Sequence, residues 1–457
     1  MINSNATLPP RHILSKSTFM RGSQCAKSLW LYKNQPDLRD EMSVQQANIF
    51  STGTSVGELA RQLFPGGVDA SPATTYEYQQ SVADTAAYIA SGHKIIYEAA
   101  FQYNGVLAAL DILVRKNGRW YGYEVKSSTQ VKPQFVEDAA LQYYVINGAG
   151  LALADISVVH INNQYVRKGE LDIPSLFNIV SVMEEVTGMQ EQVSEKVEVL
   201  KKIAVLKDVP EIAVGKHCTK PYDCDFYGHC WKDVEEEIKE GIENTDHAEL
   251  SAFLEELEYP LYFMDFETYM VAVPEYDGHW PYRQVPFQFS VHRQDAPGAE
   301  CKHEAFLAPH NCNPCDEFVE RLIEAAGKKG SIIVYNKTFE NCRLNELIDD
   351  YPKYEKQLQS IQRRLVDLMV PFRKKHLSLP SMNGSYSIKA VLPALVPELS
   401  YADLEIGNGG DASSAYYNLR SETDAEKVNS VRDALLKYCE LDTWAMVRIL
   451  EKVSQIV

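Results

Sequence analysis

The segment GVLAALDILVRKNGRWYGYEVKSS, residues 105–128, constrains the fold more than any other stretch of this chain. Two apolar, β-prone runs flank Asn117-Gly118, and Asn-Gly is a strong signal for a two-residue hairpin turn because both of its residues need positive φ. With these two as the turn, counting back along both strands brings Asp111 opposite Glu124. Side chains alternate with period two, so Lys126 shares a face with Glu124. Two opposed carboxylates repel unless a cation lies between them. That set suits phosphodiester hydrolysis: Asp111 and Glu124 can hold Mg²⁺ or Mn²⁺, while Lys126 orients water or stabilises developing charge.

Asp111 followed by Glu124-Val125-Lys126 resembles the core motif of the PD-(D/E)XK nucleases in their RecB-like branch. The resemblance implies a restriction-endonuclease-like domain and adds Gln142 of LQYY to the catalytic set, with Tyr144 at a less typical spacing. Relatives in that branch carry a metal-binding histidine on the first helix after a glycine. GTSVGELAR has Gly57 there, so Glu58 or Glu98 is expected to compensate.

In HCTKPYDCDFYGHCW, Cys218, Cys224 and Cys230 are equally spaced, and Cys25 lies far upstream in SQCAKSLWLY. Closed structural zinc and a [4Fe–4S] cluster both take four sulfur ligands, so ligand count leaves both open. One cysteine near the N-terminus and three after the nuclease core resembles the iron–sulfur staple of RecB-like nucleases, including the CRISPR-associated adaptation nucleases. That resemblance implies [4Fe–4S], with Zn²⁺ as the alternative. The pair Cys312 and Cys315, near Cys301, His303 and His310, reads as incidental because no second close cysteine pair completes a zinc set.

PLYFMDFETYM reads as a buried strand that directs Asp265 and Glu267 to one face. Two acidic side chains in so apolar a run are costly without cations. Near the C-terminus, DAEKVNSVRDALLKYCELDTWAMVRILEKV has helical spacing that puts Tyr438 and Asp442 one turn apart on one face. A strand D-x-E with a helical Y-x-x-x-D resembles the DEDDy exonucleases, the proofreading family with an RNase H-like fold. Their middle motif is matched by Asn336 and Phe339 in SIIVYNKTFENCRL, with Glu340 where aspartate is usual. The resemblance implies that Asp265, Glu267, Glu340 and Asp442 bind two metal ions and that Tyr438 orients the attacking water. Asp367 is the alternative fourth carboxylate, read as structural. Lys389 in GSYSIKAVLPAL stands in a loop entering a helix and is a candidate phosphate contact.

A chain of 457 residues exceeds the size of a single core. The expected α/β organisation is two domains, a restriction-endonuclease-like domain over 1–235 and an RNase H-like exonuclease domain over 249–457, joined by a linker over 236–248. Net charge is −18, from 63 acidic and 45 basic residues, which argues against broad adhesion to a phosphate backbone. Enzymes that hold divalent cations in carboxylate clusters can nonetheless be acidic, provided local basic groups line the substrate path. Arg363 to His376 is one such concentration. No apolar run is long enough for a membrane span, and the N-terminus lacks a secretory pattern, so a reducing cytoplasm with free thiols is expected.

The order of the two halves resembles a family of RecB-type nucleases carrying a C-terminal domain of unknown function. It implies a nuclease acting on DNA rather than RNA, from single-stranded ends, in repair or defence with protein partners from those settings. The alternatives are a nucleic-acid-binding or scaffold protein with decayed sites, and an RNA 3′-5′ exonuclease using only the C-terminal site.

Overall fold

The computed structural model describes residues 11–74, 77–232, 234 and 243–457. The chain is a mixed α/β protein that divides into two compact units, residues 1–234 with 271–282, and residues 235–270 with 283–457. The second unit is therefore not the continuous 249–457 expected from sequence. Ala272, Val273 and Tyr282 pack in one apolar cluster with Val56, Ile112, Tyr123 and Val159, and this draws 271–282 into the first unit. Of the expected linker, residues 236–242 lie outside the described residues. Its last residues, 247–248, begin the helix His247–Glu255, capped by the Asp246 carboxylate accepting from the Glu249 amide. Among the described residues no helix is long and apolar enough to cross a membrane.

The first unit is built on a sheet of β1 (Leu14–Ser15), β2 (Val68–Asp69), β3 (Ile95–Tyr103), β4 (Val106–Lys116), β5 (Arg119–Lys126), β6 (Leu153–Ile161) and β7 (Phe177–Ser181). The order is β2-β3-β4-β5-β6-β7, with β1 also on β4. Asn117 and Gly118 turn β4 into β5 with φ of 51° and 79°, the positive values that favour Asn-Gly there. The resulting ladder runs from Lys116↔Arg119 to Ile112↔Tyr123, in the register the turn dictates.

Beyond Ile112 the two strands part. β5 continues alongside β6 in parallel as far as Lys126↔His160, while β1 pairs with Val106 and Leu107 farther back on β4. Lys16 directly follows β1 and opens the helix α1 (Lys16–Gln24), so it enters the gap where β5 leaves β4. One face of the sheet is covered by the helices Pro133–Gly148 and Gln190–Ala204 through Ala139, Leu141, Val145, Val193 and Val197, and the other by Val56, Ala60 and Phe64. Burial on both faces accounts for the near-continuous apolar run of β4.

The second unit contains a small sheet of β8 (Asn244–Thr245) with β14 (Leu377–Ser378) and a five-stranded sheet. Its strands are β9 (Leu261–Tyr269), β10 (Val285–Gln294), β11 (Cys301–Leu307), β12 (Ile332–Val334) and β13 (Leu365–Asp367), in the order β11-β10-β9-β12-β13. The first three are antiparallel, and β12 runs parallel to both β9 and β13. The helix Ala425–Ile456 packs Ala445, Met446, Ile449 and Val453 into a core with Leu261, Phe263 and Ile333.

Candidate active sites

In the first unit three adjacent strands each supply a carboxylate. Asp111 on β4 and Glu124 on β5 lie one step beyond the last hairpin pair. On the other side, the β3–β4 ladder pairs Tyr97 with Ile112 and Ala99 with Leu110, which leaves Glu98 facing Asp111. Glu98 adopts φ 52°, in the left-handed region that is uncommon for a residue within a strand. Asp111 Oδ2 accepts the Val125 amide at 2.6 Å, so the carboxylate replaces the backbone partner that Val125 loses as the strands separate.

Glu124, only 1% exposed, is the best-supplied group. Its Oε1 accepts from Lys126 Nζ and Lys16 Nζ, both at 2.7 Å, and its Oε2 from Gln142 Nε2 at 2.7 Å. Burial favours the protonated form, but the two ammonium groups outweigh it and hold the carboxyl well below its usual range. Lys126 also reaches Asp138 Oδ2 at 2.5 Å. Burial opposes its charge, yet Asp138 and Glu124 prevail and raise its pKa, so Lys126 stays an ammonium. Burial, then Glu124 and Glu98, push Asp111 well above the carboxylate range, and burial raises Glu98 as well. Glu98 also pairs with Arg61 at 3.4 Å, so Asp111 is the acid of this row that has no ammonium or guanidinium bonded to it among the described residues. Gln142 Oε1 is buried with no hydrogen-bond partner among the described residues.

Asp111, Glu124, Lys126 and Gln142 are therefore brought together, whereas Tyr144 is held elsewhere, its hydroxyl accepting from Asn104. Of the two acids expected to stand in for the missing histidine, Glu98 is at the site and Glu58 is exposed. A side chain at Gly57 meets nothing within 4 Å, so packing does not require glycine there. Sequence reasoning missed Lys16 and Asp138. Asp138 had a signal, one helical turn before Gln142 on the same buried face.

The four cysteines of the first unit are free thiols lining one pocket with Ile212, Ala213, Val214 and Phe226. Cys25 sits at the junction of α1 and the helix Ala26–Asn34, opposite the segment carrying Cys218, Cys224 and, in the short helix Tyr227–Trp231, Cys230. Burial raises the Cys25 and Cys230 thiols, and Cys224 and Cys218 add to the rise in both. Four sulfur donors converging from two chain segments suit a tetrathiolate metal or cluster site. Arg21 braces the same region through its ion pair with Asp225.

In the second unit, Asp265 and Glu267 project from β9, opposite Ser290 and Gln288 of β10. Tyr438 and Asp442 come from the long C-terminal helix. Glu340 lies in the first turn of Lys337–Asp350, which starts from Asn336 in the left-handed region at φ 85°. Burial and the neighbouring Asp442 push Asp265 well above the carboxylate range. Burial, Asp265 and Asp442 do the same to Glu267, and burial and Asp265 to Glu340. Asp442 is pushed up to about 6 by burial, against hydrogen bonds from Tyr401 and Tyr438 and the charge of Lys389. Glu340 Oε2 is buried without a hydrogen-bond partner among the described residues. Mutually repelling, under-solvated carboxylates with an orphaned oxygen fit divalent cations.

Three residues that the sequence did not single out complete this cluster. Tyr401 bonds Asp442 Oδ1 at 2.6 Å. Cys439 brings its sulfur within 4.8 Å of donor oxygens of Asp265 and Glu267. Gly409 lies where a Cβ would stand 3.6 Å from Glu267 Oε2. Lys389 is exposed beside the acids, its Nζ on Gly407 O at 2.6 Å. Asp367 Oδ1 accepts the amides of Asn336 and Met369, and its charge is felt by Glu340. Within the basic segment, Arg364 spends its guanidinium on the carbonyls of Ala326, Gly327 and Lys329. Cys315 is buried against Pro286 O while Cys312 is exposed.

Residues 262–387, which include Asp265, Glu267 and Glu340, match a family described as a domain of unknown function, DUF2779. The chain is also similar to Uncharacterized protein UU173 of Ureaplasma parvum, 28% identical over 221 residues, covering 43% of this chain and 31% of that protein. The Uncharacterized protein MG366 homolog of Mycoplasma pneumoniae is 28% identical over 206 residues, 41% of this chain and 31% of its own. The chain spans about a third of the length of the curated relatives it matches.

Proposed function

We propose that this chain is a metal-dependent nuclease hydrolysing phosphodiester bonds of DNA, with a PD-(D/E)XK site in its first unit and a DEDDy-like exonuclease site in its second. The observation that carries this reading is the pairing of two separate acid clusters, each with a carboxyl pushed well above its ordinary range, with a tyrosine or a lysine and glutamine placed beside the acids. The strand order β11-β10-β9-β12-β13, with three antiparallel strands followed by two parallel ones, supports an RNase H-like second unit. The β3-β4-β5 meander, followed by the helix Pro133–Gly148 and parallel β6, supports a restriction-endonuclease-like first unit.

Asp111, Glu98 and Glu124 would hold Mg²⁺ or Mn²⁺ in the first site, and Asp265, Glu267, Glu340 and Asp442 in the second. Such ions neutralise a phosphate oxygen and make water acidic enough to attack. Lys126, kept protonated by Asp138 and Glu124, supplies a fixed charge and donor rather than a base. Gln142 orients Glu124. Burial and Asp442 hold the Tyr438 phenol far above its normal range, so it remains a donor able to position water. The cysteine pocket holds a [4Fe–4S] cluster, or Zn²⁺, as a staple in a reducing cytoplasm. Repair or defence on single-stranded ends is the setting this chemistry suits.

A second reading is cleavage by the second unit alone, as an RNA 3′-5′ exonuclease; one observation favours a silent first site, namely that Glu124 already accepts from two lysines. Anaerobically purified protein incubated with end-labelled single-stranded DNA and RNA and Mn²⁺, beside Glu124→Gln, Asp265→Asn and the double variant, decides between them. Two sites predict that each single change removes a distinct part of the products. If Asp265→Asn alone abolishes cleavage, only the second unit is active; if wild type cuts nothing, the chain binds rather than cleaves.

A further inference from the structure

A second constellation in the C-terminal unit is built from different side chains. His292 on β10 and His303 on β11 are paired in register, their rings stacked with centroids 4.5 Å apart. Glu440 approaches from the helix Ala425–Ile456, its Oε1 3.6 Å from His303 Nδ1. One donor atom from each of the three lies within 4.8 Å of the other two. His292 is buried, and His303 and Glu440 are exposed, so the group opens to solvent on one side.

The far nitrogens of both imidazoles are taken up by hydroxyls. His303 Nε2 lies 2.9 Å from Ser290 Oγ, Ser290 Oγ 2.7 Å from Thr443 Oγ1, and His292 Nδ1 2.9 Å from Thr443 Oγ1. Thr443 Oγ1 also contacts Glu440 O at 3.1 Å, and a backbone carbonyl can only accept. The threonine proton therefore goes to that carbonyl, and each remaining contact has to find its own hydrogen. Ser290 donates to Thr443, His292 donates from Nδ1, and His303 donates from Nε2. For neutral imidazoles this is the one assignment that supplies a proton to every contact. It leaves His292 Nε2 and His303 Nδ1 as lone pairs, the second on the side of the Glu440 carboxylate. Metal-ligating histidines typically donate their other ring hydrogen to such a partner, which fixes tautomer and ring orientation.

We propose that His292, His303 and Glu440 form a site for a late first-row divalent ion of the Zn²⁺ type. Two neutral imidazoles and a carboxylate suit Zn²⁺ and its neighbours rather than Mg²⁺, and three protein ligands leave a coordination position open. Occupancy joins β10, the edge strand β11 and the last helix, and so raises the stability of the unit by ligand linkage. The proposal does not depend on nuclease activity.

The test is calorimetric titration of Zn²⁺ into the full chain, anaerobically purified with its cysteine site as isolated, in buffer saturated with Mg²⁺. Wild type, His303→Gln, Glu440→Gln and Asp265→Asn are compared. The expected result is one binding event weakened at least about tenfold by His303→Gln and by Glu440→Gln, and retained by Asp265→Asn. An event that persists unchanged in both of the first two, or vanishes only with Asp265→Asn, overturns the site. Co²⁺ bound to wild type gives a check that needs no variant. A spectrum of nitrogen and oxygen ligation supports the proposal, and a sulfur charge-transfer band as the sole signal refutes it.

Discussion

Tyr401 donates its phenolic hydrogen to Asp442 Oδ1 at 2.6 Å, across 41 positions of sequence, and that bond sets the direction in which the carboxylate faces. Replacing Tyr401 with Phe keeps the ring and removes the donor. We expect the Mn²⁺ concentration for half-maximal cleavage to rise about 10–100-fold, the usual cost of losing a group that orients a metal ligand. A metal-dependence curve superimposable on wild type shows that Tyr401 only packs.

Metal-free protein should become less stable as pH rises from about 4 to about 6. Asp442 is pushed up to about 6 in the folded state, above its ordinary 3.8. The folded chain therefore binds a proton that the unfolded chain releases, and that stability is lost as pH climbs through the folded value. For Asp442 alone the effect is on the order of 3 kcal/mol, and Asp265, Glu267 and Glu340 act in the same direction. Melting temperatures across this range, with and without Mn²⁺, check it; the slope should flatten when the ion is present.

Glu98 and Glu58 should behave oppositely. Glu98→Gln removes a carboxylate from the three-strand row, and we expect the first site to need roughly tenfold more Mn²⁺ or worse. Glu58→Gln, at an exposed helix position, should leave the requirement unchanged. The comparison is best made in an Asp265→Asn background, where the second site is silent.

Anaerobically purified protein should carry iron and acid-labile sulfide. Cys224→Ser should abolish the visible absorption and lower the melting temperature by several degrees, because a metal bound only by the native state adds directly to its stability. Stoichiometric zinc without iron in the elemental analysis assigns the alternative metal.

The hairpin was legible because its register depends on two turn residues alone: once Asn117 and Gly118 fix the turn, Asp111 and Glu124 follow by counting. Asp265 with Glu267, and Tyr438 with Asp442, were legible for the same reason, since strand and helix periods place them on common faces. Lys16 was not, because it reaches Glu124 across 108 positions, through a β1 pairing that a two-residue strand does not announce. Tyr401 and Gly409 arrive from irregular segments, where no period indicates direction. The excursion of 271–282 was hidden likewise: Ala272 and Val273 look like any loop residues until the cluster they join is known.

The cysteine pocket also imposes an order on synthesis. Cys224 meets Ser28 from 196 positions away, and Trp30 meets the carbonyl of Leu206 from 176. In a nascent chain the contacts of Ser28 and Trp30 have to wait until the segment from Leu206 to Cys224 has been synthesised. Closure of so long a loop is slow, and it is needed before those contacts can form. The pocket in which the four thiols meet is thus among the last features of that unit that can form.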